Sequence, residues 1–175
     1  MKKMIKVVLI LNHVQAGMGS DENALLAPGG KKSPIGPGMT LEPLIESFGG
    51  TIVATLYCGD RYFLENEAEV KKKFIGFSKK FEADAVLCGP AMHYPNFGEM
   101  CGSLAKAMNE NGIPAIAAMS AENPATANYQ HDIPIVKMPK KGGIGLNDSF
   151  KHMAQLVVAK GKLEDTARLE AEFCF

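Results

Sequence analysis

Residues 5–11 read Ile-Lys-Val-Val-Leu-Ile-Leu, an almost unbroken β-branched and leucine run. A strand of that pattern is buried on both faces, as in a parallel sheet with helices above and below it. The rest of the chain must therefore supply covering helices. Leu41, Leu44, Ile45 and Phe48 fall at helical spacing behind Thr40, a candidate N-cap, and Gly49-Gly50 ends the run. Residues 51–57 read as a second strand. Val70, Phe74, Phe77 and Phe81 predict an amphipathic helix, with Asn66 and Glu69 as a capping pair at its start. Residues 85–88 form a third short strand. Met100, Leu104 and Met108 mark a helix stopped by Asn111-Gly112. Residues 113–119 are a fourth strand and 133–136 a candidate fifth. Phe150, Met153, Ala154 and Val157 define a last core-facing helix, closed by Gly161.

This alternation predicts an α/β fold: three layers around a predominantly parallel sheet of four or five strands, Rossmann-like or flavodoxin-like. A chain of 175 residues suits one domain. The domain is expected over residues 1–161, with a charged, helix-prone tail over 162–175. Lys and Arg number 19 against 19 Asp and Glu, so no basic field attracts nucleic acid or an anionic membrane. No apolar run reaches about 18 residues, the length of a membrane span. The N-terminus starts like a signal peptide, but Lys6 interrupts it and no small-residue cleavage site comes after it. Cys58, Cys88, Cys101 and Cys174 form no paired motif, which favours a reducing, cytoplasmic setting.

In a parallel sheet, ligands bind outside the carboxyl ends of the strands, so the loops there are the candidate site. The segment 12–39 is long and rich in Gly and Pro, readable as a surface loop, a lid or a partner-docking loop. Its Gly17-Met18-Gly19 lacks the third glycine of a dinucleotide fingerprint, since Glu22 stands there. After the second strand, Cys58-Gly59-Asp60-Arg61 reads as a tight turn. Asp60 can accept from a substrate ammonium and Arg61 can clamp a carboxylate, or the two can cap a turn and lie in solvent. After the third strand comes Gly89, then His93, a candidate acid, base or ligand if it is not simply structural. Cys101 is placed in the first turn of the next helix. There the dipole lowers a thiol pKa, so Cys101 is expected to alkylate faster than Cys88; the opposing reading is a small buried hydrophobe. After the fourth strand, Glu122 can bind an amine or act as a base, and Asn123 can contact substrate or form a turn. Gly142-Gly143-Ile144-Gly145 reads as an anion cradle or a plain glycine turn. A zinc site from Cys58, Cys101 and His93 lacks paired ligand spacing, so no metal is expected. The gathered set is Cys58 and Cys101 as candidate catalytic thiols, with Asp60, Arg61, Gly89, His93, Glu122 and Asn123 as candidate substrate contacts.

Several of these loops together resemble one family. Ala16-Gly17-Met18-Gly19, Gly36-Pro37-Gly38, Cys58-Gly59-Asp60 with Tyr62-Phe63, Gly89-Pro90-Ala91, Gly98 with Cys101-Gly102, and Glu122-Asn123-Pro124 occur in the order seen in selenoprotein B of the glycine/sarcosine/betaine reductase complexes. The resemblance runs to about Lys160; residues 169–175 do not match the family continuation. It implies an oxidoreductase component of anaerobic amino-acid metabolism that reductively cleaves a small amine. It also implies a pyruvoyl-bearing partner subunit that holds the amine, and a selenocysteine on component B that takes the carbon fragment. Full-length family members are more than twice as long, and the selenocysteine lies in the part absent here. The chain is then a fragment, a split subunit or a stand-alone relative, expected to be inactive alone and able to form a homo-oligomer. The alternative reading is a non-catalytic domain that docks a partner or binds a small ligand.

Overall fold

The computed structural model describes residues 3–175, so Met1 and Lys2 of the expected domain lie outside it. Five strands run parallel: β1 (Ile5–Asn12), β3 (Gly50–Cys58), β4 (Ala85–Cys88), β5 (Ala115–Ser120) and β6 (Ile135–Met138). A short sixth, β2 (Gly29–Lys31), pairs antiparallel with β3 at the edge. The spatial order is β2-β3-β1-β4-β5-β6, and its parallel part has the flavodoxin-like arrangement. The expected α/β class thus holds, with one more strand than anticipated. The added strand is Gly29-Gly30-Lys31, whose glycines hide it from any hydrophobic pattern.

Helices cover both faces. α1 (Gly38–Ser47) and α6 (Leu146–Gly161) pack together on one side. On the other, α4 (Pro95–Glu110) lies over β4 and β5 and is flanked by α2 (Asp60–Glu65), α3 (Glu67–Lys80) and α5 (Pro124–Tyr129). The two-sided cover leaves residues 7–11 of β1 fully buried. Lys6 fits the run because it sits at the strand's start. Its backbone N–H donates to Asp84 Oδ2 at 2.8 Å, and its ammonium pairs with Glu82 at 3.0 Å.

Three local expectations are corrected. α1 starts at Gly38 with Pro37 at the N-cap position, so Thr40 lies inside the helix and caps nothing. Asn66 precedes α3 without a side-chain capping bond, and Glu69 instead accepts from Tyr62 Oη at 2.6 Å. The core face of α3 is Val70, Phe74 and Ser78, while Phe77 is 41% exposed. The step from 74 to 78 is the helical i to i+4 row, and Phe77 falls off it. The segment after α6 holds α7 (Ala167–Phe173), and Cys174 bridges to Val136 of β6, so Phe173 and Cys174 join the core. No helix among the described residues is long and apolar enough to cross a membrane.

The two phenylalanines separate cleanly in a stability test. Phe74→Ala empties a fully buried position and is expected to cost about 3–5 kcal/mol. Phe77→Ala should cost no more than about 1 kcal/mol in the same urea titration. Equal losses would place Phe77 in the core after all.

Candidate functional site

From β1 the chain leaves one way toward β3 and later the other way toward β4, β5 and β6. The two directions part between β1 and β4, which opens a crevice at their carboxyl ends. A cleft of about 610 Å³ lies there. Its walls come from three loops: Asn12, His13 and Gln15 after β1, Asp60 and Arg61 after β3, and Tyr94 to Asn96 after β4.

Each loop is held by bonds that its sequence dictates. Asn12 ends β1 and its Oδ1 accepts from Gln15 N at 2.9 Å, an Asx-type turn. Its Nδ2 donates to Asp60 Oδ2 at 3.0 Å, and both side chains are buried. This bond joins the β1 and β3 loops beneath the cleft. Gly59 lets segment 24–26 approach: its N–H donates to Leu26 O at 2.8 Å, and Tyr62 N donates to Ala24 O at 2.9 Å. A Cβ at Gly59 would collide with the Ala24 carbonyl, so no other residue fits without displacing that loop. Thus the expected tight turn at residues 58–61 is the entry into a short helix, α2.

After β4, Gly89 takes φ +119° and precedes a cis peptide bond to Pro90. Its N–H donates to Ile10 O at 3.0 Å, which keeps this loop on β1. Asn123 then fastens the rest of the loop. Its Nδ2 donates to the carbonyls of Met92 (3.2 Å) and Tyr94 (3.0 Å), while its Oδ1 accepts from Ala125 N at 3.0 Å and caps α5. Gly98 makes room for that carboxamide, since a Cβ there would overlap it.

The structure brings Asp60 and Arg61 to the cleft, with Gly89 at the start of a third wall, and separates the others. Arg61 is exposed at the rim, its Nε 3.5 Å from Glu65. Asn123 is buried and spends its polar atoms on backbone, so it positions a loop. Glu122 is exposed and accepts from Lys141 N at 2.6 Å, holding the loop after β6. That contact takes it away from the other candidates. His93 is half-buried and stacks on Tyr94 with ring centroids 4.4 Å apart, outside the cleft lining. The Gly142–Gly145 turn lies apart from the cleft, with Ile144 almost wholly exposed.

The thiols run against expectation. Cys101 is the seventh residue of α4, in its second turn and fully buried. Burial pushes its thiol well above the ordinary range, with Cys88 and Asp60 adding to the rise. Cys88 is raised by burial alone. Cys58 ends β3, its Sγ donating toward Gly59 O at 3.3 Å. Burial first, then Asp60, pushes it up to about 12. The sequence pattern puts Cys101 one turn too early, because Pro95 and not a residue nearer the thiol opens α4. Asn12 and His13 are absent from the sequence-based set; two polar residues directly after a buried strand are the signal that points to them. Among the described residues, no group of three or more His, Cys, Asp or Glu is placed to hold a metal ion.

Fold and cleft define a class: a flavodoxin-like α/β domain with a crevice of mixed polar and apolar lining at the switch point of its sheet. The family model for glycine/sarcosine/betaine reductase selenoprotein B matches residues 4–174, beyond the point where the loop motifs stop. Sarcosine reductase complex component B subunit beta of Peptoclostridium acidaminophilum is 36% identical over 171 residues, 97% of this chain and 39% of that protein. Glycine reductase complex component B subunit gamma of Carboxydothermus hydrogenoformans is 34% identical over 168 residues, 95% of this chain and 38% of that protein. The chain belongs to the glycine/sarcosine/betaine reductase selenoprotein B family, and it spans about two fifths of the length of these curated relatives.

The buried thiols and the Asn12–Asp60 bond can each be tested. In the native protein at pH 8, iodoacetamide should modify Cys88 and Cys101 equally slowly, both accelerating only on unfolding; rapid native labelling of Cys101 would contradict its burial. Asn12→Ala leaves the buried Asp60 carboxylate without its donor and should cost about 1–3 kcal/mol by denaturant titration. A loss within about 0.5 kcal/mol would show the Asn12–Asp60 bond to be dispensable.

Proposed function

We propose that this chain is a substrate-facing domain of component B in a glycine/sarcosine/betaine-type reductase, and that its cleft receives a small amine carrying a carboxylate. The observation that carries the reading is the placement of Asp60 and Arg61 side by side at one crevice of a family member. Asp60 takes the positively charged nitrogen and Arg61, reaching in from the rim, takes the carboxylate. Neither residue supplies electrons or accepts carbon. The sequence holds no selenocysteine, and its cysteines are buried and protonated at neutral pH. Reductive cleavage therefore belongs to partners: a pyruvoyl-bearing subunit that anchors the amine and a selenocysteine-bearing segment that accepts the carbon fragment. This domain presents and orients the substrate, which raises the rate by fixing geometry before the chemical step.

A docking role is favoured by one further observation. Val14 and Tyr94 line the cleft while 45% and 48% exposed, so its mouth offers apolar surface to a partner subunit. The two roles are compatible, with the partner closing over the substrate.

Reconstitution tests the reading. With a dithiol donor, the purified chain alone should form no product from glycine, sarcosine or betaine, and adding the pyruvoyl subunit and the selenocysteine-bearing segment should restore turnover. In the restored system, Asp60→Asn still accepts from Asn12 but loses its charge, and kcat/KM should fall about tenfold or more. Turnover by the chain alone, abolished by Cys101→Ala, would overturn the proposal and make that thiol the nucleophile.

A further inference from the structure

His13 comes directly after β1 and lines the cleft, yet it is only 2% exposed. Among the described residues, neither Nδ1 nor Nε2 has a hydrogen-bond partner. Its backbone is fixed, since His13 O accepts from Met18 N at 2.9 Å. The neighbouring buried side chains are already engaged: Asn12 donates to Asp60 and accepts from Gln15 N. So the cleft wall holds one buried polar group with open bonding capacity. Burying an imidazole with both nitrogens unpaired costs free energy that an apolar ring of similar shape avoids. Such a cost is typical of a site whose ligand completes the bonding.

We propose that His13 is a ligand-binding residue of this cleft, donating a hydrogen bond to the carboxylate of a small amino acid. The inference rests on the cleft being substrate-facing and adds the residue that reads the acid end. Charge decides the ligand class. Asp60 contributes a buried negative charge, and Glu22, bonded to the cleft-lining Ser20, adds another nearby. A phosphate dianion would meet both with only Arg61 to oppose them. A zwitterion adds no net charge and pairs both its ends: its ammonium faces Asp60, and its carboxylate takes the imidazole N–H and the Arg61 guanidinium.

The test compares the 175-residue chain with His13→Phe and His13→Gln by calorimetry and thermal melting, using glycine, sarcosine, acetate and methylamine as probes. His13→Phe should weaken glycine, sarcosine and acetate roughly tenfold or more, while methylamine changes little. His13→Gln, which keeps a donor, should restore most of the loss. His13→Phe should also melt a few degrees higher without ligand, because the unpaired nitrogens are gone; a structural histidine would behave oppositely. Carboxylate binding by His13→Phe at wild-type affinity, a lower melting temperature with binding unchanged, or no binding of any probe to the wild-type chain would each overturn the proposal. Acetate binding that depends on His13, with no gain for glycine or sarcosine, would sustain the His13 role and sink the amine-reductase reading of the cleft.

Discussion

The parallel pairing of β1 with β3 on one side and β4 on the other governs the rest of the structure. It uses both backbone edges of β1, from Ile5 paired with Gly50 to Asn12 paired with Cys58, and from Val7 with Ala85 to Ile10 with Cys88. It obliges the chain to wind both ways from the centre. Helices then cover both faces, residues 7–11 are shut away from water, and a crevice is left where the windings diverge. Asn12, at the end of β1, and Asp60, just after β3, border that crevice. The cleft's position is thus a consequence of sheet order, and the loops after β1, β3 and β4 supply its walls.

What the loops add is rigidity. Asn12 and Asn123 each satisfy several polar atoms at once, the first tying β1 to the β3 loop, the second tying the β4 loop to α5. Gly98 is the space the Asn123 tie needs, and Gly59 lets segment 24–26 pack against the β3 loop. The result is a wall of oriented polar groups backed by a dry interior that holds Cys58, Cys88 and Cys101. Dry surroundings raise the thiols and strip them of nucleophilic character at neutral pH, so polar recognition and thiol chemistry are separated by the sheet's own packing.

How far this is readable in the sequence depends on whether burial or tertiary contact decides the outcome. The five parallel strands and the long helices are legible because their apolar periodicity reports burial directly. β2 is invisible, since Gly29 and Gly30 carry no pattern and pair only because β3 offers a free edge. α2 and α5, at six residues each, are too short to show a period. Phe77 misleads because spacings of three and four both look helical, and only the packing of α3 against α2 and α4 decides which row is inside. In the site, Asp60 and Arg61 are legible from their strand-end position. Glu122 and Asn123 share that position but turn to backbone partners, which no local sequence pattern encodes. The position of His13 after a buried strand is legible, but that its nitrogens are unpaired among the described residues is a tertiary fact that no local pattern encodes.

The crevice between β1 and β4 is the proposed meeting place of this domain and a small ligand. Backbone amide chemical shifts of the isotopically labelled chain, monitored by NMR while glycine or sarcosine is added, test it most directly. Saturable shifts are expected, confined to residues 12–20, 59–62 and 89–96, the three loops around the cleft. Shifts centred on the exposed turn at 142–148, or on the faces of the sheet remote from these loops, would contradict it.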